Sequence, residues 1–198
     1  MTAQFNDLFR YQEKEYAIAG ISTGELFHPA DFGLFPIPAS TACWRGYLAT
    51  FTVFESQLVL DTLSVRLQEK QAPSINGIMA AESTDNYKLF SHLYNDLRYR
   101  VHYTGGLLIG HEFIRELYVH MGFHPAWKYK EVFELTFESG RLLRELDRSE
   151  WAALERHTFL KSAKNDKPNG VPTQKEISEF VERSFDRSYK KGENDQTG

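Results

Sequence analysis

His120 and His124 stand four residues apart, with His111-Glu112 and Glu116 shortly upstream and His28 in an earlier loop. Imidazoles at that spacing can share a metal ion, and imidazole beside carboxylate can move a proton, when a helix puts them on one face. Here Gly122 and Pro125 break the segment into a loop, where spacing fixes little geometry. The zinc-protease pattern HExxH fails because Arg115 stands where the second histidine belongs. The sequence therefore predicts no metal site and no cofactor, although a metal would have to use His111, His120 or His124. An enzyme would have to draw its acid, base or ligands from His28, His111, His120, His124, Glu112 and Glu116, and the reading leans away from catalysis.

Other chemistries find less support. Cys43 is the only cysteine, with no base or cation pattern around it that would make a nucleophile, so it reads as an ordinary buried thiol. The nucleophile elbow GxSxG, the phosphate-binding glycine motifs and CxxC are all missing. Gly105-Gly106 and Gly110 bracket a short apolar run and read as a strand that follows a turn.

Two charged residues are out of keeping with their surroundings. Strict alternation along residues 58–67 puts Asp61 on one face with Val59, Leu63 and Val65, and alternation along 141–147 puts Arg144 with Leu142 and Leu146. A lone buried charge is costly, so each should pair, lie on an open face or border a wet cavity. Trp44-Arg45 and Trp127-Lys128 each join an aromatic to a cation, suited to an interface if exposed and to the core if not. The ligand-binding candidates are thus Asp61, Arg144, Trp44, Trp127, His28 and His124.

The elements that must position these residues are mostly strands. Residues 8–12 and 16–21 flank Glu13-Lys14-Glu15 as a hairpin, and 46–55 with 58–67 and 130–137 with 141–147 form two longer ones. Prolines 29, 36 and 38 make 22–42 a loop. Apolar residues three and four apart over 84–97 predict a linking helix, and Ser149 opens a predicted helix over 149–161. A polar linker at 163–172 leads to an amphipathic helix at 173–190, opened by the capping box Thr173-Gln-Lys-Glu176.

Trp44 set against Trp127 aligns twenty residues without a gap, six of them identical, including Phe-Glu-Ser. Phe27-His28-Pro29-Ala30 likewise recurs as Phe123-His124-Pro125-Ala126. The expectation is a mainly β (α+β) domain over 1–162, with half-repeats at about 8–67 and 99–147. About eight antiparallel strands in two pseudo-repeated halves would form a barrel or barrel-like sandwich, with the linking and C-terminal helices outside it.

Composition narrows the function classes. At 198 residues, 41% hydrophobic and 25% charged, the chain is globular and large enough for its own core. Net charge is −4, and the balanced tail beyond residue 162 leaves that excess to the folded part, which argues against nucleic acid as a partner. No apolar run is long enough for a membrane span, and the lone cysteine suits a cytoplasmic protein. Three readings remain: a non-catalytic binding or interaction protein using loops 22–42 and 119–128, a small-ligand β-barrel with Asp61 and Arg144 in its cavity, and an enzyme with a histidine-glutamate or metal site. The partner would be a protein or a small molecule. Oligomeric state is not encoded in any feature of the sequence.

Overall fold

The computed structural model describes residues 2–165, 174, 178 and 187–189. Its strands are β1 (Leu8–Tyr11), β2 (Lys14–Ile21), β3 (Tyr47–Phe54), β4 (Gln57–Val65), β5 (Ala81–Glu82), β6 (His92–Tyr94), β7 (Tyr99–Arg100), β8 (Gly105–Phe113), β9 (Tyr129–Glu138) and β10 (Arg141–Asp147). One α-helix, α1, covers Ser149–Asn165 among the described residues. No helix among them is long and apolar enough to cross a membrane.

Three hairpins turn in two residues each, at Gln12-Glu13, Glu55-Ser56 and Ser139-Gly140. Their φ angles are 47° and 63°, 50° and 62°, and 46° and 82°. Paired positive φ values give the turn whose twist matches that of the flanking strands, so five residues with side chains accept a costly backbone region to set the register. The first loop is therefore one residue shorter than the sequence suggested.

The sheet runs β4, β3, β1, β2, β8, β9, β10 and returns to β4, so seven strands close on themselves. Closure is made at two turn tips. Arg141 pairs with Gln57, the Leu58 amide donates to Gly140 O at 2.7 Å, and the Leu142 amide donates to Ser56 O at 2.9 Å. All neighbouring strands are antiparallel except β1 and β3, which are parallel with Leu8 opposite Thr50. The core holds Phe9, Tyr16, Ile18, Phe51, Leu60 and Leu135, and Tyr94, Leu97 and Phe137 are buried in the same cluster.

Bulges decide which side chains enter it. Thr50 faces Thr62 while Phe51 faces Leu60, so Asp61 is an extra residue in β4, and Leu143 is extra in β10 by the same reasoning. Leu58 and Leu60 point inward before the Asp61 bulge, Leu63 and Val65 after it. The strict alternation assumed over 58–67 therefore breaks at Asp61, which leaves the inward face for the outer one.

Other expectations are corrected as well. The linking helix over 84–97 is not formed. Asp85 instead accepts the amides of Tyr87, Leu89 and Phe90, each at 3.0 Å, and folds 85–90 into a turn before β6 joins β4. Those amides, Phe90 foremost, hold its carboxyl below the usual range. Tyr87 is 85% exposed and Tyr94 fully buried, so the apparent helical stripe never shared a face. A short polar side chain offering local acceptors competes well against a helix.

The two halves are also built differently. β3 lies beside parallel β1, β9 beside antiparallel β8, and the aligned Phe-Glu-Ser segments enter turns displaced by one residue, Glu55-Ser56 against Ser139-Gly140. Seven strands in the closed sheet replace the expected eight in matched halves. The C-terminal helix read at 173–190 lies outside the described residues except at 174, 178 and 187–189.

A second core covers the outer face of β2, β8 and β9, where Ala19, Leu108 and Val132 meet Ala126, Tyr129 and Ala152 of α1. Residues 187–189 return here, the Ile21 amide donating to Arg187 O at 2.8 Å. Two buried carboxylates pin this layer. Glu134 accepts from Arg148 Nε and Nη2 at 2.8 and 2.7 Å and from the Tyr189 hydroxyl at 3.1 Å. Asp7 accepts from Arg45 Nη1 and Nη2 at 2.7 and 3.0 Å, from Arg187 Nη1 at 3.2 Å and from the Ala49 amide at 3.2 Å. Burial alone would raise the Asp7 carboxyl, but the Arg45 charge and hydrogen bonds, aided by Arg187 and Ala49, hold it below the usual range.

Asp7→Asn is expected to cost roughly 3–5 kcal/mol in urea denaturation, because it leaves two guanidinium groups facing a neutral amide. With the folded pKa lowered, the wild-type contribution is complete above about pH 4 and fades as pH falls through the folded value. The variant should lose that acid-sensitive limb, and an unchanged acid profile would remove Asp7 as its source.

Candidate functional site

Between β8 and β9 the chain leaves the sheet and loops over its outer face. The Ile114 amide donates to Lys128 O at 2.9 Å, pinning the two ends of the excursion together, and 3-10 turns at Arg115–Leu117 and Ala126–Lys128 frame it. This loop, Ala19, Phe159 of α1 and residues 187–188 enclose an open cavity of about 650 Å³. Its walls are largely apolar, with Leu117, Tyr118, Met121, Phe123 and Trp127 prominent. Trp127 and Phe159 lie 4.7 Å apart between ring centroids.

Two polar side chains stand out in this setting. Lys128 lines the cavity yet is only 5% exposed. No ion pair joins it to a carboxylate among the described residues. Its Nζ lies 3.4 Å from His124 Nδ1 and 5.4 Å from the centre of the Trp127 ring. Burial lowers the Lys128 ammonium pKa. His124 is packed against Phe113 and Tyr118, with centroids at 4.6 and 5.2 Å, and its Nε2 is buried without a hydrogen-bond partner among the described residues. Burial first, and the Lys128 charge second, push its pKa down to about 4, so the ring is neutral near pH 7.

A buried amine, a neutral imidazole and a mostly apolar wall suit a ligand with an apolar body and one oxygen acceptor. Arg187 adds a second cation at the rim, held by Asp7 and set 4.6 Å over the Phe123 ring.

The residues singled out from the sequence scatter around the molecule. His124 and Trp127 line the cavity together, as does Glu116. His120 is exposed, its Nδ1 hydrogen-bonded to the Tyr118 hydroxyl at 3.0 Å. His111 bonds the Glu15 carbonyl at 2.8 Å and packs on Tyr16, while Glu112 pairs with Lys130 at 3.0 Å. His28 is exposed, 3.7 Å from Asp31. Among the described residues, no three histidine, cysteine or acidic side chains gather as a metal site would require.

Asp61 faces outward and pairs with Arg10 at 2.8 Å, while Arg144 is exposed opposite Thr136. They do not meet in an interior cavity. Trp44 is 65% exposed, whereas Arg45 is stacked 4.7 Å over Tyr47 and bound to Asp7. Cys43 is buried and its thiol pushed up by burial.

Sequence reasoning passed over Lys128, Tyr118, Asp7 and Arg187. The Trp-cation pairs were a usable signal for the first, since Lys128 is buried and Arg45 half-buried, and only Arg45 has a described carboxylate. Asp7 and Arg187 are far apart in sequence and carry no local mark.

His124 should make stability depend on pH. The unfolded imidazole takes a proton near pH 6.5 and the folded one near 4, so stability declines as pH falls between those values and levels off below. The loss is at most about 3 kcal/mol. Denaturation of His124→Gln across that interval should lack the decline, and a decline of the same size would assign it to another group. Comparison of the chain with protein-family models, with curated proteins and with solved structures finds no match.

Proposed function

We propose that the protein is a small-molecule binder whose site is the cavity under residues 116–128, not the interior of the closed sheet. The observation that carries this reading is Lys128, 5% exposed in an apolar wall with no described carboxylate to balance it. Keeping an ammonium there costs stability unless a ligand oxygen answers it. A volume of about 650 Å³ suits a compact organic molecule. The ligand class is an apolar, preferably aromatic, body bearing one carboxylate or carbonyl oxygen. The aromatic walls accept the body, and Lys128 with His124 receives the oxygen.

A second reading, contact with a protein partner through the loop 22–42 and the residues just after it, is favoured by Phe35 and Trp44, which are 69% and 65% exposed. A photo-crosslinker at position 35 that captures one protein at a fixed ratio in cells supports it. Diffuse capture of many proteins overturns it.

The cavity is tested with 2-naphthoate by calorimetry and by Trp127 fluorescence. Saturable binding is expected, and Lys128→Met should weaken it about ten- to hundredfold, the worth of a hydrogen bond to a charged group. The same substitution should raise the melting temperature, by about 2–4 °C for each kcal/mol of burial penalty removed. Undiminished binding by the variant, or no binding by the wild type to any member of a panel of aromatic acids, would discard the site.

A further inference from the structure

We infer that Lys128 captures aldehyde or ketone ligands covalently, as a reversible imine formed inside the cavity. This rests on the cavity being a ligand site. The geometry carries it: Lys128 lines a largely apolar cavity, its Nζ lies 3.4 Å from a histidine nitrogen, and no described carboxylate pairs with it.

Imine formation needs an amine with a free electron pair and a group that moves protons in a site poor in water. Lys128 provides the first more readily than an exposed lysine, since burial lowers the pKa of its ammonium and eases loss of the proton. His124 provides the second, being neutral and in reach of the same nitrogen. The Nζ electron pair forms a bond to the carbonyl carbon while the carbonyl π pair moves to oxygen. His124 Nδ1 takes one proton from the nitrogen and passes it to the oxygen, giving a neutral carbinolamine. The C–O bond then breaks as the nitrogen electron pair forms C=N, and the hydroxyl leaves as water by taking the second nitrogen proton through His124. The amine and carbonyl thus become an imine and one water, with no oxidant or reductant consumed. Apolar walls favour this by excluding the water that would hydrolyse the product.

The chain's other lysines include Lys14, paired with Glu131 at 2.9 Å, and Lys130, paired with Glu112 at 3.0 Å, both with substantially exposed side chains. Each is engaged by a carboxylate, which ties up its nitrogen and makes it a poor competitor as a nucleophile.

The experiment treats the full chain with substoichiometric 2-naphthaldehyde and sodium cyanoborohydride, which fixes an imine as a secondary amine. Peptide mass mapping then locates the adduct. Labelling at Lys128 is expected to exceed that at any other lysine by about tenfold or more. Lys128→Arg, whose guanidinium forms no imine under these conditions, should abolish it, and His124→Gln should lower its rate at saturating aldehyde. Labelling spread evenly over the surface lysines, or undiminished total labelling in Lys128→Arg, overturns the proposal. If 2-naphthoate binds while Lys128 stays unlabelled, the imine falls and the cavity stands; if neither aromatic probe engages the protein, both fall.

Discussion

A β-sheet must dispose of its edges, and here that is done by two turn tips. Glu55-Ser56 and Ser139-Gly140 come together, and backbone bonds between Leu58 and Gly140 and between Leu142 and Ser56 close the strands on themselves. Gly140 is held at φ 82° by this junction, and a Cβ there would meet the Val101 carbonyl. Everything inside the sheet depends on the closure, because seven short strands would otherwise leave two open edges and a half-wet core. The bulges at Ala19, Asp61 and Leu143 supply the local bending that a closed sheet of this size requires.

Closure also explains where the functional candidate lies. With the interior occupied by Phe9, Tyr16, Phe51 and their neighbours, space for a ligand opens only where something packs imperfectly on the outside. The excursion between β8 and β9 provides this. It carries the chain over the outer face of the sheet, and Ala152 is the only buried residue of α1 among those described, so the cavity lies between them. The cations nearby divide into two kinds. Arg45, Arg148 and Arg187 answer buried carboxylates and hold the layers together, while Lys128 faces an imidazole and an indole. Guanidinium suits fixed, forked pairing and a buried ammonium readily changes its protonation, so the residue types agree with this division.

The mainly β character was legible because hairpin signals are local: alternating apolar residues, a tight turn, more alternation. β3 with β4 and β9 with β10 could be read in that way. The failures came where a local rule met a tertiary choice. Tyr87, Phe90, Tyr94 and Leu97 have helical spacing, yet Asp85 ties its own amides and β4 offers an edge to His92–Tyr94. Asp61 seemed to share a face with Val59 and Leu63 because alternation has no means of registering a bulge. The repeated Phe-Glu-Ser resembled a duplicated unit, but turns choose their residues for backbone reasons and these two turns fall one residue apart. Of the candidate site, His124 and Trp127 were legible as unusual residues. Lys128 as a buried cation was not, since its burial is produced by a loop, a helix and a returning segment far apart in the chain.

The parallel placement of β1 against β3 has a consequence for how the chain comes together. The first strand made is not an edge to be added late; it sits in the middle of the closed sheet, between β2 and β3. β2 in turn waits for β8, which lies beyond five further strands in the chain. Three of the seven strand pairs of the closed sheet, β1 with β3, β2 with β8 and β10 with β4, therefore join distant stretches, and these wait for the strands between them to be made. Between synthesis of the first hairpin and arrival of β8, the outer edge of β2 is an exposed strand, and the charged stretch Glu13-Lys14-Glu15 at its start is well placed to discourage pairing with a second nascent copy.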